Sequence, residues 1–89
     1  MIAKEIRVVG KVQRVSFRAA TRAKALSLGL VGWVRNNTDG SVHIRIEGEE
    51  AVMASMVEWC KVGPPLARVD LIEETPAPVA GFEGFVIIS

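Results

Sequence analysis

The stretch Ser41-Val42-His43-Ile44-Arg45-Ile46-Glu47-Gly48 alternates without a fault, Val42, Ile44 and Ile46 facing one way and His43, Arg45 and Glu47 the other. A period of two belongs to a β-strand, and β-branched residues alternating with charged ones mark a strand with one buried face. A sheet made of such strands needs cover on one side only.

The remaining elements set how much cover there is. Ile6, Val8, Val9 and Val12 in EIRVVGKV give a first strand. Residues 17–29 are rich in Ala and Leu and end at Gly29, a suitable C-cap, which predicts a helix. LVGWVRN reads as a second strand, and NNTDG as a hairpin turn whose Asp39-Gly40 pair tolerates positive φ. Glu49 and Glu50 favour the positive end of a second helix, Lys61 its negative end, and Gly63 stops it. Val52, Met56 and Trp59 share one face of that helix, flanked by Met53, Val57 and Cys60. GPPLA is a turn, RVDLIEE a fourth strand, TPAPVAG a connecting loop and GFVIIS a terminal strand. Two helices are too few for both faces of the sheet, so they lie together on one. The expected class is α+β, a two-layer sandwich of antiparallel sheet and two helices, in the order βαββαβ plus a C-terminal strand.

The first helix has two possible core stripes. Phe17, Thr21, Ala25 and Leu28 form one; Ala19, Ala23, Leu26 and Leu30 form the other. Periodicity does not choose between them.

The 89 residues suffice for one modest core, so residues 1–89 are read as a single domain, with a monomer as the default. No apolar run approaches the roughly 20 residues of a membrane-spanning helix. MIAKEIRVVG lacks the apolar core of a secretory signal, and the expected compartment is the cytoplasm. Cys60 is the only cysteine, no Cys/His spacing suggests zinc, and the thiol is expected to be a packed side chain.

Net charge is +1, yet residues 1–35 carry +7 and residues 36–89 carry −6. Four of the basic residues, Lys11, Arg14, Arg18 and Arg22, surround one strand-to-helix turn, GKVQRVSFRAAT. Clustered like charges suit an anionic guest. A helix N-terminus offers unpaired N–H groups and partial positive charge, and a compact turn ahead of it makes a concave seat for phosphate. Arg18 can add a planar fork for two phosphate oxygens. The turn is not a Walker A loop, since Gly10-Lys11 is followed by Val12, with no Ser or Thr for magnesium. Asn36, between a strand and the tight part of the hairpin, has a carboxamide suited to holding a water, whereas Asn37 is read as a turn residue.

Other chemistry-bearing residues are expected to be structural. His43, the only histidine, is read as a solvated surface group and Ser16 as an N-cap. Trp33, Trp59, Phe17, Phe82 and Phe85 are read as core, and Glu47, Glu49, Glu50, Glu73 and Glu74 as solvated faces and a helix start.

GKVQRVSFR, LGLVGWVRNNTDGSV and GPPLARVD together resemble the acylphosphatase family, and the similarity runs from Ile6 to Ile87 with matching element order. The resemblance implies a ferredoxin-like sandwich. It also implies hydrolysis of small acyl phosphates to carboxylate and inorganic phosphate, without metal or organic cofactor. On the matching positions it makes Arg18 the catalytic phosphate anchor and Asn36 the water-orienting group, with the backbone of Gln13, Arg14, Val15, Ser16 and Phe17 as the phosphate cradle. Two departures stand out. Arg14 occupies a position that is usually glycine, and Ala20 one that is commonly aromatic. The alternative reading is a phosphate-binding or interaction module on the same scaffold, its activity weakened by Arg14. RNA binding, which such sandwiches also support, needs aromatics on the open strand face; His43, Arg45 and Glu47 offer none, so no nucleic-acid partner is expected.

Overall fold

The computed structural model describes residues Met1–Ile88. Its elements are β1 (Ile2–Lys11), α1 (Phe17–Ser27), β2 (Val31–Asn36), β3 (Val42–Gly48), α2 (Glu50–Cys60), β4 (Arg68–Ala77) and β5 (Phe85–Ile87). The strands form one sheet in the order β4-β1-β3-β2-β5. Four of them pair antiparallel; β5 joins β2 in parallel, so the sheet is mixed at that edge.

Register follows from the alternation. Ile6 lies opposite Ile44, and Ile44 opposite Val34, which makes one apolar row across three strands. All three are fully buried. A one-residue slip would turn the row to water, which is why this pairing is strongly specified. Met53, Met56 and Cys60 of α2 and Phe17 and Ala25 of α1 complete the same core, so both helices cover one face. The helices meet where the Phe17 and Trp59 rings lie 5.6 Å apart. No helix among the described residues is long and apolar enough to cross a membrane.

The structure chooses the first stripe of α1. Phe17, Thr21 and Ala25 are buried, whereas Ala19, Ala23 and Leu26 face outward and Leu30 is buried beyond the helix end. The stripe beginning with Phe17 wins because it carries the largest apolar side chain of the helix.

β4 is longer than expected and runs through Thr75-Pro76-Ala77. Proline cannot donate to a sheet ladder, but β4 is an edge strand paired only to β1, so its outer side needs no donor. At the other end of β1 the register to β4 shifts between Val9 and Gly10. Gly10 has φ 140°, and a Cβ there would come within 2.1 Å of the Arg68 carbonyl oxygen. This bulge lets the strand twist out of the sheet into the basic turn.

The open face of the sheet is less open than the alternation suggests. His43 is partly buried, 2.6 Å from Glu5 and tilted against Trp33 at 5.1 Å. Trp33 therefore lies outside the core, on the face away from the helices, with the Arg35 guanidinium 5.1 Å from its ring. Phe82 is half-buried beneath Arg45 instead of in the core. Phe17 and Phe85 are core as expected, and Trp59 packs on its margin. The largest departure is Glu47, which is fully buried where a solvated group is expected. The 78–82 segment folds back over its face of the sheet, and local alternation cannot anticipate that.

Candidate active site

The turn between β1 and α1 has a backbone few sequences adopt. Arg14 (φ 63°) and Ser16 (φ 62°) are both left-handed, and they are the only non-glycine residues with positive φ among those described. Left-handed residues alternating with ordinary ones turn successive N–H groups toward a common centre, which makes an anion-binding concavity. Ser16 occupies the N-cap position, but its side chain makes no capping bond, a correction to its expected role. No acidic residue stands in the first turn of α1 either. The N-terminal amides of the helix are thus left without a side-chain acceptor or counter-charge, as a site for an external anion requires.

An open cleft of about 430 Å³ lies at this turn. That is within the roughly 300–1,000 Å³ range of small-molecule sites. Arg14, Ser16, Phe17 and Arg18 line it from the turn and Asn36 from the end of β2; Ile87 of β5 lines it as well. Two guanidinium groups thus border the cleft, while none of its lining residues is a carboxylate or an imidazole. Among the described residues Arg18 makes no ion pair, and its charge remains available to a ligand.

Asn36 reaches the cleft because β2 runs back along α1 and ends beside the helix N-terminus. Its Oδ1 is buried with no hydrogen-bond partner among the described residues, as is Thr21 Oγ1 on the inner face of α1. A buried polar atom without a partner costs about 1–3 kcal/mol.

The side chains of Gln13 and Val15 turn away from the cleft, so these residues meet it through their backbone alone. Val15 is buried in the core beneath the turn. Gln13 turns its side chain to the hairpin, where Nε2 donates to the backbone oxygens of Asn37 at 2.8 Å and Ser41 at 3.0 Å. The hairpin is itself tied internally: Asn37 Nδ2 donates to Ser41 Oγ, and the Ser41 amide donates to Asp39 Oδ1, both at 2.9 Å. Hydrogen bonds from Ser41 and Arg7 hold the Asp39 carboxyl well below the usual carboxylate range. Through Gln13 the basic turn and the strand end carrying Asn36 become one rigid unit. Sequence reasoning missed this role, since a contact across such a separation leaves no local signature; Ile87 was missed for the same reason.

No group of three His, Cys, Asp or Glu residues among those described is placed to hold a metal ion. Cys60 is buried, and its burial, reinforced by Glu74, pushes the thiol up to about 12, which leaves it unreactive.

A two-layer α+β sandwich with a basic cleft at the start of its first helix defines a class of small proteins built to accept an anion. The comparisons narrow that class. The acylphosphatase family model matches residues 4–87. The acylphosphatase of Acaryochloris marina is 47% identical over 81 residues, covering 91% of this chain and 87% of that protein. The acylphosphatase of Synechococcus sp. (strain CC9605) is 42% identical over 80 residues, covering 90% of this chain and 96% of that one. The crystal structure of acylphosphatase from Bacillus subtilis superimposes with a TM-score of 0.97 at 38% identity, over the whole of both chains. The chain belongs to the acylphosphatase family.

Proposed function

We propose that the cleft hydrolyses the carboxyl–phosphate bond of small acyl phosphates, with Arg18 anchoring the phosphoryl group and Asn36 orienting the attacking water. Membership of the family supplies the reaction, and the roles of the two residues are our assignment. The observation that carries it is a cleft uniting a left-handed turn, a helix N-terminus, a free guanidinium and a carboxamide, with no acid–base side chain on its walls.

An acyl phosphate is a mixed anhydride whose carboxylate leaves readily, so the protein has little covalent chemistry to do. The backbone amides of Gln13 to Phe17 cradle the phosphoryl oxygens and Arg18 neutralises them bidentately. Asn36 holds a water opposite the leaving oxygen. The water oxygen bonds to phosphorus as the bond to the acyl oxygen breaks, and the carboxylate departs with that electron pair. With neither imidazole nor carboxylate lining the cleft, a phosphoryl oxygen of the substrate takes the proton. Positioning of this kind is worth roughly 7–11 kcal/mol. Inorganic phosphate, the second product, remains as a weak ligand of the seat. Residues 1–89 act as one catalytic unit, and a buried free Cys60 suits the reducing cytoplasm.

Loss of benzoyl phosphate tests the assignment. Arg18→Ala is expected to lower kcat/KM by about 100-fold or more and to weaken inhibition by inorganic phosphate, because it removes the charged anchor. Asn36→Ala is expected to lower kcat by a similar factor of about 100 and leave phosphate inhibition unchanged. A wild-type protein that binds phosphate yet turns nothing over would instead establish the binding-module reading.

A further inference from the structure

The reaction described above makes no use of the one fully buried carboxylate among the described residues, that of Glu47. It lies on β3, on the sheet face opposite the helices. Its Oε2 accepts from the Ala80 amide at 2.6 Å, and its Oε1 from the Gly81 and Phe82 amides at 3.0 and 3.4 Å. Arg45 Nη2 completes the shell at 3.4 Å, donates also to the Pro78 carbonyl oxygen, and carries its guanidinium 5.4 Å from the Phe82 ring. A carboxylate taken fully out of water is retained only where it is so completely satisfied. Here it acts as a fixed anion around which three consecutive backbone amides are wrapped.

Those amides immediately precede β5, an element with little hold of its own. β5 has three residues, lies at the sheet edge and pairs with one neighbour. Yet it supplies Ile87 to the cleft, a large apolar side chain that is 42% exposed. A second clamp comes from the helix side, where Arg22 Nε donates to the Phe85 carbonyl oxygen at 3.0 Å. Arg22 lies one turn beyond Arg18 on α1. The wall carrying Ile87 is therefore gripped from both faces of the sheet, and its distance from the phosphate anchor is set by those grips.

We propose that Glu47 is a positioning residue for the acyl side of the cleft: by fixing the segment before β5 it holds Ile87 as the apolar wall against which the carbon portion of the substrate lies. The cleft thereby favours bulky apolar acyl groups over an acetyl group, which offers the wall less apolar surface to cover. The proposal rests on the acyl phosphate reading and goes on to its substrate class.

The test compares benzoyl phosphate with acetyl phosphate, with inorganic phosphate as inhibitor, for wild type, Glu47→Gln and Arg22→Gln. Glutamine at position 47 turns an N–H₂ toward backbone amides and cannot replace the carboxylate. Expected for both variants is a KM for benzoyl phosphate raised about 3- to 10-fold, with kcat and the acetyl phosphate KM within about 2-fold. The inhibition constant of phosphate should stay unchanged, since the seat is untouched. A change that scales both substrates alike, or that moves phosphate inhibition, overturns the proposal. If Glu47→Gln does not fold, Arg22→Gln decides, and an unaltered benzoyl-to-acetyl ratio there overturns it equally. Wild-type protein inert toward both compounds removes the acyl phosphate reading itself, a result distinct from either.

Discussion

At the scale of single residues, Arg14 is the position where shape and side chain disagree most. Its φ of 63° is a conformation that costs a residue with a Cβ about 1–2 kcal/mol. The strain is tolerable because Gln13 anchors the turn on one side and Val15 on the other. Its side chain also puts a second cation on the cleft wall, a bulk and charge that glycine would not bring there. Arg14→Gly is therefore expected to raise kcat/KM for benzoyl phosphate severalfold, checked by steady-state rates; an equal value would show that the arginine does not hinder the reaction, and a lower one that it serves it. Residues such as these were partly legible. A basic turn entering a helix announced an anion seat, and the structure does bring Arg18 and Asn36 to one cleft. The partners of Gln13, His43 and Glu47 were not legible, because each depends on a residue far along the chain.

At the scale of elements, periodicity carried most of the reading. β3 follows from side-chain spacing alone, whereas spacing left two stripes of α1 open; element order was right throughout. The reading was weakest where a segment's fate depends on its neighbour. Thr75-Pro76-Ala77 looked like a loop because proline interrupts strands, yet an edge position makes it acceptable. Glu47 looked solvated because nothing local foretells that residues 78–82 return to cover it. That covering has a titration signature. Burial by itself raises the Glu47 carboxyl, but the amides of Ala80, Gly81 and Phe82 and the Arg45 guanidinium outweigh it and hold the group below its ordinary 4.5. A carboxyl so lowered contributes stability that is complete above its unfolded value and lost as pH falls through the folded one. In urea titrations the wild-type midpoint should therefore decline on acidification below about pH 4.5. Glu47→Gln should be less stable at neutral pH, with the gap narrowing in acid. A gap independent of pH would mean that the charge of Glu47 contributes nothing.

At the scale of the whole molecule, the charge asymmetry between the chain's halves is partly structural. Arg7 pairs with Asp39 and Glu73, and Lys4 with Glu74, so two of the eight basic residues of the first half are matched by acids of the second. Of the six that make no ion pair among the described residues, Arg14 and Arg18 line the cleft. The topology was legible because two helices leave one arrangement of cover; the parallel addition of β5 was not, since three residues carry no directional signal.

The interior place of β1 has a kinetic consequence. Its register sets Ala3 opposite Ala77 and Lys11 opposite Arg68, so β3 braces Ile2 to Val8, but the end leading into the anion turn is braced only by a strand far along the chain. Distant pairings of this kind form late. The phosphate seat should be unformed at the rate-limiting barrier, and a ligand that recognises only the finished seat can lengthen the native lifetime without hastening its assembly. In chevron experiments, added phosphate should lower the unfolding limb and leave the refolding limb where it was.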